Sequence, residues 1–278
     1  MGRLMLIGRF DALSEELCRD PEFRHHEVER CEDSLTALHR AREHGVDVVV
    51  TDPHTSMGAD LAVAQEMRLA RPETKVIALA RFMGPDDVIA ALRAHVFACF
   101  AAPFETPEIA HMIWAALRAR DWTDGIQVVS GIRNWLTLKV SPRLLTAERL
   151  VRFMTELQTG MKGNERDQLI MAFREMLLNA MEHGAGFNSE STIEVTAART
   201  ERAIVYHFRD PGGGFDRVAV AAHTTQSDDP AAIMSTQLVR AEMGMRPGGL
   251  GTLIARAIVD EICYNERGNE VILVKHLN

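Results

Sequence analysis

No C-x-x-C pair occurs in the 278 residues, and the four cysteines, Cys18, Cys31, Cys99 and Cys263, stand far apart. That spacing excludes a cysteine-built metal site or a disulfide frame and fits reduced core thiols in a cytosolic protein. No stretch approaches the roughly 18 consecutive apolar residues of a membrane span. The opening MGRLMLIGRFD becomes charged too early for a signal peptide, so the expected location is the cytoplasm and no membrane contact is expected. Positive charge is also scarce: the formal net charge of −8 argues against a general nucleic-acid surface, which needs clustered Lys and Arg to neutralise phosphates. With 46% hydrophobic and 25% charged residues, the composition is that of a folded globular chain rather than a disordered one. The length exceeds a single domain of roughly 100–150 residues, so two domains with separate cores are expected.

From Met1 to about Arg120, short apolar runs alternate with amphipathic ones. LMLIG (4–8), VDVVVTD (46–52), KVIALA (75–80) and VFACFAA (96–102) have the continuous apolar character of parallel strands covered on both faces. Between them lie helix-like segments: SEELCRD, SLTALHRAREHG with a stop at Gly45, ADLAVAQEMRLARP stopped by Pro72, and PDDVIAALRAH. A last one, PEIAHMIWAALRAR, carries Pro107 in its first turn, where a missing N–H is harmless. This alternation predicts an open, doubly wound parallel sheet. Its order and spacing resemble the receiver domain of bacterial response regulators, with Asp52 where that family carries its phospho-accepting aspartate and Pro103-Phe104 as the family's Pro-Phe pair.

Three departures from that pattern bear on function. The family's acidic pair after the first strand falls near Gly8 and Arg9, with only Asp11 close; the hydroxyl residue after the fourth strand is Ala80 or Arg81; and the lysine before the proline is Ala102. Phosphoryl transfer to a carboxylate needs a divalent cation and positive charge against the phosphate. Asp52 is therefore expected as a structural or vestigial residue of a pseudo-receiver used for docking or dimerisation, so that a homodimer is one expected partner state; phosphorylation of Asp52 is the alternative. The segment DWTDGIQVVSGIRN (121–134) has weak periodicity with breakers at Gly125 and Gly131, so the domain boundary is placed there. The expected organisation is 1–120 receiver-like, 121–134 linker and 135–278 a second domain.

In the second half WLTLKVSP (135–142) alternates like a half-exposed antiparallel strand and ends at Pro142. TAERLVRFMTELQTGM and ERDQLIMAFREMLLNAMEHG read as long helices. In the latter Leu169, Phe173, Met176, Leu177 and Ala180 make the core stripe, while Glu175, Asn179, Glu182 and His183 recur at spacings of three and four along another side. An amide such as Asn179 in this setting costs about 1–3 kcal/mol if left without partners, so it needs a hydrogen-bonding or metal-binding reason. Strands STIEVTA (191–197) and RAIVYHF (202–208) lead into DPGGGFD (210–216), whose three glycines suit a backbone that approaches a ligand closely. RPGGLGTLIARAIVDEI (246–262) sets Gly248, Gly249 and Gly251 before a helix with apolar spacing at Leu253, Ile254, Ala257 and Ile258. Backbone N–H groups at such a helix start attract phosphate. NEVILVKHL closes the sheet.

The order E-x-x-x-N, D-x-G-x-G-F, G-G-L-G over about Trp135 to Asn278 resembles the GHKL ATP-binding domain shared by gyrase, MutL and the histidine kinases. Within that superfamily, EMLLNAMEHG and GGLGTLIARAIVDEICYN look most like the serine-kinase branch of anti-sigma factors, which phosphorylate anti-sigma antagonist proteins. The resemblance implies an α/β sandwich with a mixed, mainly antiparallel sheet, and ATP with Mg²⁺ as cofactors. It further implies that Asn179 holds Mg²⁺ through its side-chain oxygen, that Glu175 is the general base, and that Asp210 accepts a hydrogen bond from the adenine amino group. Gly212 and Gly214 would give the base room, and Gly248, Gly249 and Gly251 would let a lid wrap the phosphates. His183 is placed in support near the phosphates. Residues 217–246 fall where the superfamily has a mobile lid, and Arg240 and Arg246 in it are equally phosphate contacts or incidental surface charges.

Three functions fit these boxes. The leading one is an anti-sigma-type serine/threonine kinase acting on a partner protein, an anti-sigma factor antagonist or a sigma factor. A histidine kinase-like protein of a two-component pathway needs an acceptor histidine upstream of the ATP domain, and 121–165 contains none. A non-catalytic module whose shape is set by bound ATP is the third.

Overall fold

The computed structural model describes residues 2–8, 11–19, 21–103, 105–120, 122–158, 160–214 and 250–277. By its contacts the chain divides into two compact units, Met1–Gln127 with Glu148–Gly160, and Val128–Ala147 with Met161–Asn278.

The first unit is the expected doubly wound α/β fold. Strands β1 (Arg3–Ile7), β2 (Glu27–Cys31), β3 (Val48–Val50), β4 (Lys75–Ala80) and β5 (Ala98–Ala101) form a parallel sheet in the order β2-β1-β3-β4-β5. This is the strand order of flavodoxin-like folds, in which functional groups collect at the carboxyl ends of the strands. The apolar runs buried the central strands as expected, with all three residues of β3 and all six of β4 out of solvent. Strand β2 was not foreseen. Its sequence, EVERC, is polar because it lies at the sheet edge with only its last residue buried, so no apolar run marks it.

Helices α1 (Asp11–Arg19), α2 (Ser34–His44), α3 (Met57–Ala70), α4 (Pro85–Arg93) and α5 (Thr106–Arg118) connect these strands. Their ends follow local chemistry. Asp33 accepts the Thr36 N–H to cap α2, and Gly45, at φ 69°, closes it as the sequence suggested. Ser56 caps α3, and proline opens both α4 and α5.

The second unit is built on a six-stranded sheet in the order β10-β11-β9-β8-β7-β6, from β6 (Ile126–Ile132), β7 (Trp135–Val140), β8 (Ile193–Arg199), β9 (Ala203–Arg209), β10 (Glu261–Tyr264) and β11 (Glu270–His276). The pairs β7–β8, β8–β9, β9–β11 and β10–β11 all run antiparallel. The segment read as a linker carries β6, whose burial is too irregular to show as a period. Helix α6 (Leu144–Leu157) lies from Glu148 onward in the first unit, while α7 (Gly163–Asn179) and α8 (Leu250–Ile258) belong to the second. All five residues of the expected α7 core stripe are buried. Phe173 meets Tyr206 and Phe208 of β9 at ring-centroid distances of 4.8 and 5.2 Å, which fixes the rotation of α7 over the sheet. The expected apolar face of α8 is out of phase. Gly251, Ala255 and the following Val259 are the buried positions and Ala257 is exposed. The chain leaves the helix at Ile258 and turns into β10, a strand hidden in the sequence inside an apparently helical run.

Candidate functional site

With Phe173 and Leu177 drawn into the core, Glu175 and Asn179 lie at its margin, neither fully buried nor fully exposed. The carboxamide of Asn179 has one neighbour within bonding reach among the described residues, the Met176 sulfur at 3.9 Å from Nδ2. A thioether is a weak acceptor, so the amide is in substance open to a ligand. Beyond Asn179 the helix widens into a π turn, Ala180–Gly184, in which the Ala185 N–H donates to the Ala180 carbonyl at 3.0 Å. Such widened turns recur at functional sites. Here the turn sets His183, an exposed residue, and Gly184 outside the even three-and-four spacing that the sequence pattern presumed.

Asp210 follows β9 and lies against that turn. A Cβ on Gly184 would stand 2.2 Å from the Asp210 Cγ, and one on Gly212 would stand 2.7 Å from the Gly184 carbonyl oxygen. Gly214, at φ 80°, passes so close to the Arg267 carbonyl that a Cβ would lie 1.8 Å from its oxygen. Gly212 and Gly214 are thus also approached closely by the protein's own backbone, whereas Gly213 has open space around it. The Gly212 N–H donates to Asp210 Oδ1 at 2.8 Å. Burial pushes the Asp210 carboxyl above the usual range, and the Gly212 N–H and the Arg267 charge pull against it.

These residues enclose a cavity of 420 Å³. Its polar lining comes from Asn179, His183, Asp210, Thr252, Asn269 and Glu270, and its apolar walls include Met176, Phe208, Tyr264 and Val271. Gly184 and Gly214 also line it, while Glu175 and Gly212 do not. Glu175 instead meets the start of α8, where a Cβ on Gly251 would come within 2.9 Å of its Oε2 and within 3.5 Å of Asn179 Nδ2. Arg174 Nη1 pairs with Glu175 Oε1 at 3.0 Å. The sequence-derived set is thus brought together around Asn179, His183, Asp210 and Gly251; Gly248, Gly249, Arg240, Arg246 and the 217–246 segment lie outside the described residues.

Residues 140–275 match the model of the histidine kinase-like ATPase domain. The cavity falls wholly inside that ATPase-like domain. No curated protein matches the chain. Among solved structures the chain is similar, over its N-terminal part, to a response regulator receiver domain protein from Clostridium thermocellum, at 20% identity over 44% of this chain and 98% of that one, TM-score 0.37. It is likewise similar to a response regulator from Thermotoga maritima, at 17% identity over 43% and 99%, TM-score 0.37. A CheY-like receiver domain protein from Methanospirillum hungatei JF-1 is 16% identical over 44% and 97%, TM-score 0.37.

The ATPase-like domain shows its glycine logic more fully in the structure than in the sequence. Gly184 and Asn269, which line the cavity, were missed, as was Asn265, which bonds Asn269. Asn269 Nδ2 donates to the Asp210 carbonyl at 3.1 Å, and the two residues are 59 apart in the chain, so only a strand pairing reveals the link. Among the described residues no group of three or more His, Cys, Asp or Glu is placed to hold a metal ion, and no helix is long and apolar enough to cross a membrane.

In the first unit Asp52 sits just past β3, its side chain 23% exposed. Its Oδ1 accepts the backbone N–H of His54 at 2.8 Å and lies 2.9 Å from His54 Nδ1. Gly8, at φ 95°, occupies the place after β1; a Cβ there would stand 2.6 Å from the Asp52 Cγ. No acidic side chain fits at Gly8 without displacing Asp52.

Proposed function

We propose that this protein is an ATP-dependent signalling regulator whose ATPase-like domain phosphorylates a serine or threonine of a partner protein, in the manner of anti-sigma factors that act on an anti-sigma antagonist. The observation that carries the reading is the 420 Å³ cavity that gathers Asn179, His183 and Asp210. Ligand pockets of this kind run from about 300 to 1,000 Å³ and combine apolar walls with a few convergent polar groups. The residues fit ATP with Mg²⁺. Asp210 has a second carboxylate oxygen beside the one engaged by Gly212, suited to accept from an exocyclic amine. Asn179 supplies a side-chain oxygen, and Mg²⁺ takes oxygen ligands alongside nucleotide phosphates and water. When bound, Mg-ATP would supply the phosphoryl group and the charge that neutralises it. The protein's own part is to hold the base at Asp210, orient the phosphates through Asn179 and His183, and accept the partner hydroxyl's proton at Glu175.

Affinity capture of partners from native cytosol, with and without ATP, followed by phosphosite mapping tests this reading. With the captured partner, Glu175→Ala is expected to keep ATP affinity within a few-fold and to lose about 10²–10⁴-fold in transfer rate, the usual worth of a general base. Asn179→Ala is expected to lose both. Equal phosphorylation by wild type and Glu175→Ala removes the base assignment. A second reading has its own support: Glu175 is paired with Arg174 and does not line the cavity, as suits a non-catalytic switch whose ATP occupancy sets the surface shown to a partner. ATP consumption that stays at background with the partner present selects that reading.

A further inference from the structure

We infer that the β10–β11 turn, Asn265–Asn269, is the specificity frame of the cavity, with Asn269 as a positioning residue that sets where Asp210 meets the base; the inference rests on the nucleotide reading above. Asn265 Oδ1 accepts three backbone N–H groups, those of Gly268 at 2.8 Å, Asn269 at 3.1 Å and Glu270 at 3.2 Å. Three donors identify that atom as the oxygen, so Nδ2 is the atom directed at Asn269 Oδ1, 2.9 Å away. Asn269 must then turn its own Nδ2 to the Asp210 carbonyl, while its backbone carbonyl accepts the Asp210 N–H at 3.0 Å. Both backbone groups of Asp210 are thereby tied to one residue, and the orientation of each amide follows from the last.

Asn269 is 7% exposed, and a buried amide of this kind is stabilising only while its partners stay in place. The same turn grips the other end of the glycine segment. Arg267 donates from Nε to the Gly213 carbonyl at 3.2 Å, and its own carbonyl fills the space that a side chain on Gly214 would need. The DPGGG loop is thus held at Asp210 and again at Gly213–Gly214 by a single hairpin. The Asp210 carboxylate has one oxygen committed to Gly212, so the direction of the other is fixed by where the backbone is held. A displaced acceptor would lose its preference for a purine bearing an amino group over one bearing a carbonyl at that position, because the latter leaves it facing another acceptor.

Calorimetric titration of the full chain with Mg-ATP and Mg-ITP tests this, since the two nucleotides differ at that exocyclic group. Wild type is expected to favour ATP by about tenfold or more, the worth of a hydrogen bond to a charged acceptor. Asn269→Ala is expected to bring the ATP/ITP ratio near one, with ATP binding losing more than ITP binding. Asn265→Asp keeps an acceptor for the three N–H groups but removes the donor to Asn269, so it is expected to lower the ratio in a chain whose turn still folds. Asn269→Gln, with the same amide on a longer stem, should recover the ratio only in part. If wild type shows no preference, or Asp210→Asn keeps it, the adenine role of Asp210 fails and the inference with it. If wild type and Asp210→Asn behave as expected but Asn269→Ala and Asn265→Asp keep the wild-type ratio, the frame alone is overturned.

Discussion

Gly184→Ala isolates the packing that lets Asp210 enter the site. The added methyl would lie 2.2 Å from the Asp210 Cγ, 2.4 Å from its Cβ and 2.4 Å from its Oδ1. Ordinary carbon contacts fall near 3.5–4.0 Å, so roughly 1–2 Å of relief must come from Asp210 or from the π turn. Asp210 has little freedom to give, because its backbone is bonded in both directions to Asn269. Overpacking of this size costs about 1–3 kcal/mol, and in a unit between the roughly 100- and 150-residue size classes each kcal/mol lowers Tm by about 4 °C. A fall of about 4–12 °C in the unfolding transition is therefore expected by scanning calorimetry. Titration with Mg-ATP should show at least about a tenfold loss of affinity, since the displaced carboxylate is a charged acceptor. Gly213→Ala is the matched control: nothing lies within 4 Å of its added methyl, so both quantities should stay at wild type. A Gly184→Ala protein with unchanged Tm and unchanged affinity would refute the packing account of this glycine.

In the first unit, acetyl phosphate with excess Mg²⁺ is expected to leave Asp52 unmodified, because no acidic side chain fits at Gly8 without displacing Asp52 and His54 already engages Oδ1; a mass gain of one phosphoryl group that disappears in Asp52→Asn would overturn this. Buried Asp60 on α3 has its carboxyl pushed up to about 6 by burial, with hydrogen bonds from Thr55 and Thr51 pulling the other way. A pKa raised in the folded state means that the stabilising contribution is complete below about pH 4 and is lost as pH rises through about 6, a change of about 3 kcal/mol. The stability difference between wild type and Asp60→Asn, followed by denaturant titration, should therefore shift in favour of the variant across that window; a difference that does not change with pH removes Asp60 as its source.

Much of this architecture is legible in the sequence where one local property dominates. Strands β1, β3, β4 and β5 are covered on both faces and read as apolar runs, while α7 shows its stripe because one side meets β9. Asn179 and His183, from one box, and Asp210, from another, line the same cavity. What escaped depends on neighbours distant in the chain. The polar edge strand β2 is held by its ladder to β1, and β10 is fixed by pairing with β11, not by its own pattern. The glycine box was legible as a close approach but not as to what approaches: the partners of Gly212 and Gly214 are Gly184 and Arg267, and no spacing rule connects them.

Where the chain divides also depends on neighbours distant in the sequence. A boundary at Trp135 is natural from the sequence, because the breakers precede it and the ATPase-like boxes follow. Yet Glu148–Gly160, most of α6, makes its contacts with the first unit. Arg149 on that helix is 1% exposed and donates to the Phe97 carbonyl at 2.8 Å, the Val96 carbonyl at 3.2 Å and Asp124 Oδ1 at 2.6 Å. Its guanidinium also lies over the Phe97 and Trp122 rings. Burial pulls the Arg149 pKa down and Asp124 opposes it, so the charge is tolerable only while those partners surround it. A cut at Trp135 removes Phe97, Trp122 and Asp124 together and leaves Arg149 on a helix that no longer has them. Loss of one partner from a buried ion pair typically costs about 3–5 kcal/mol, a large part of the stability of a single domain. A nucleotide-binding defect in such a fragment would report this helix as much as the cavity, which is why the measurements that decide the function of the cavity belong on the full chain.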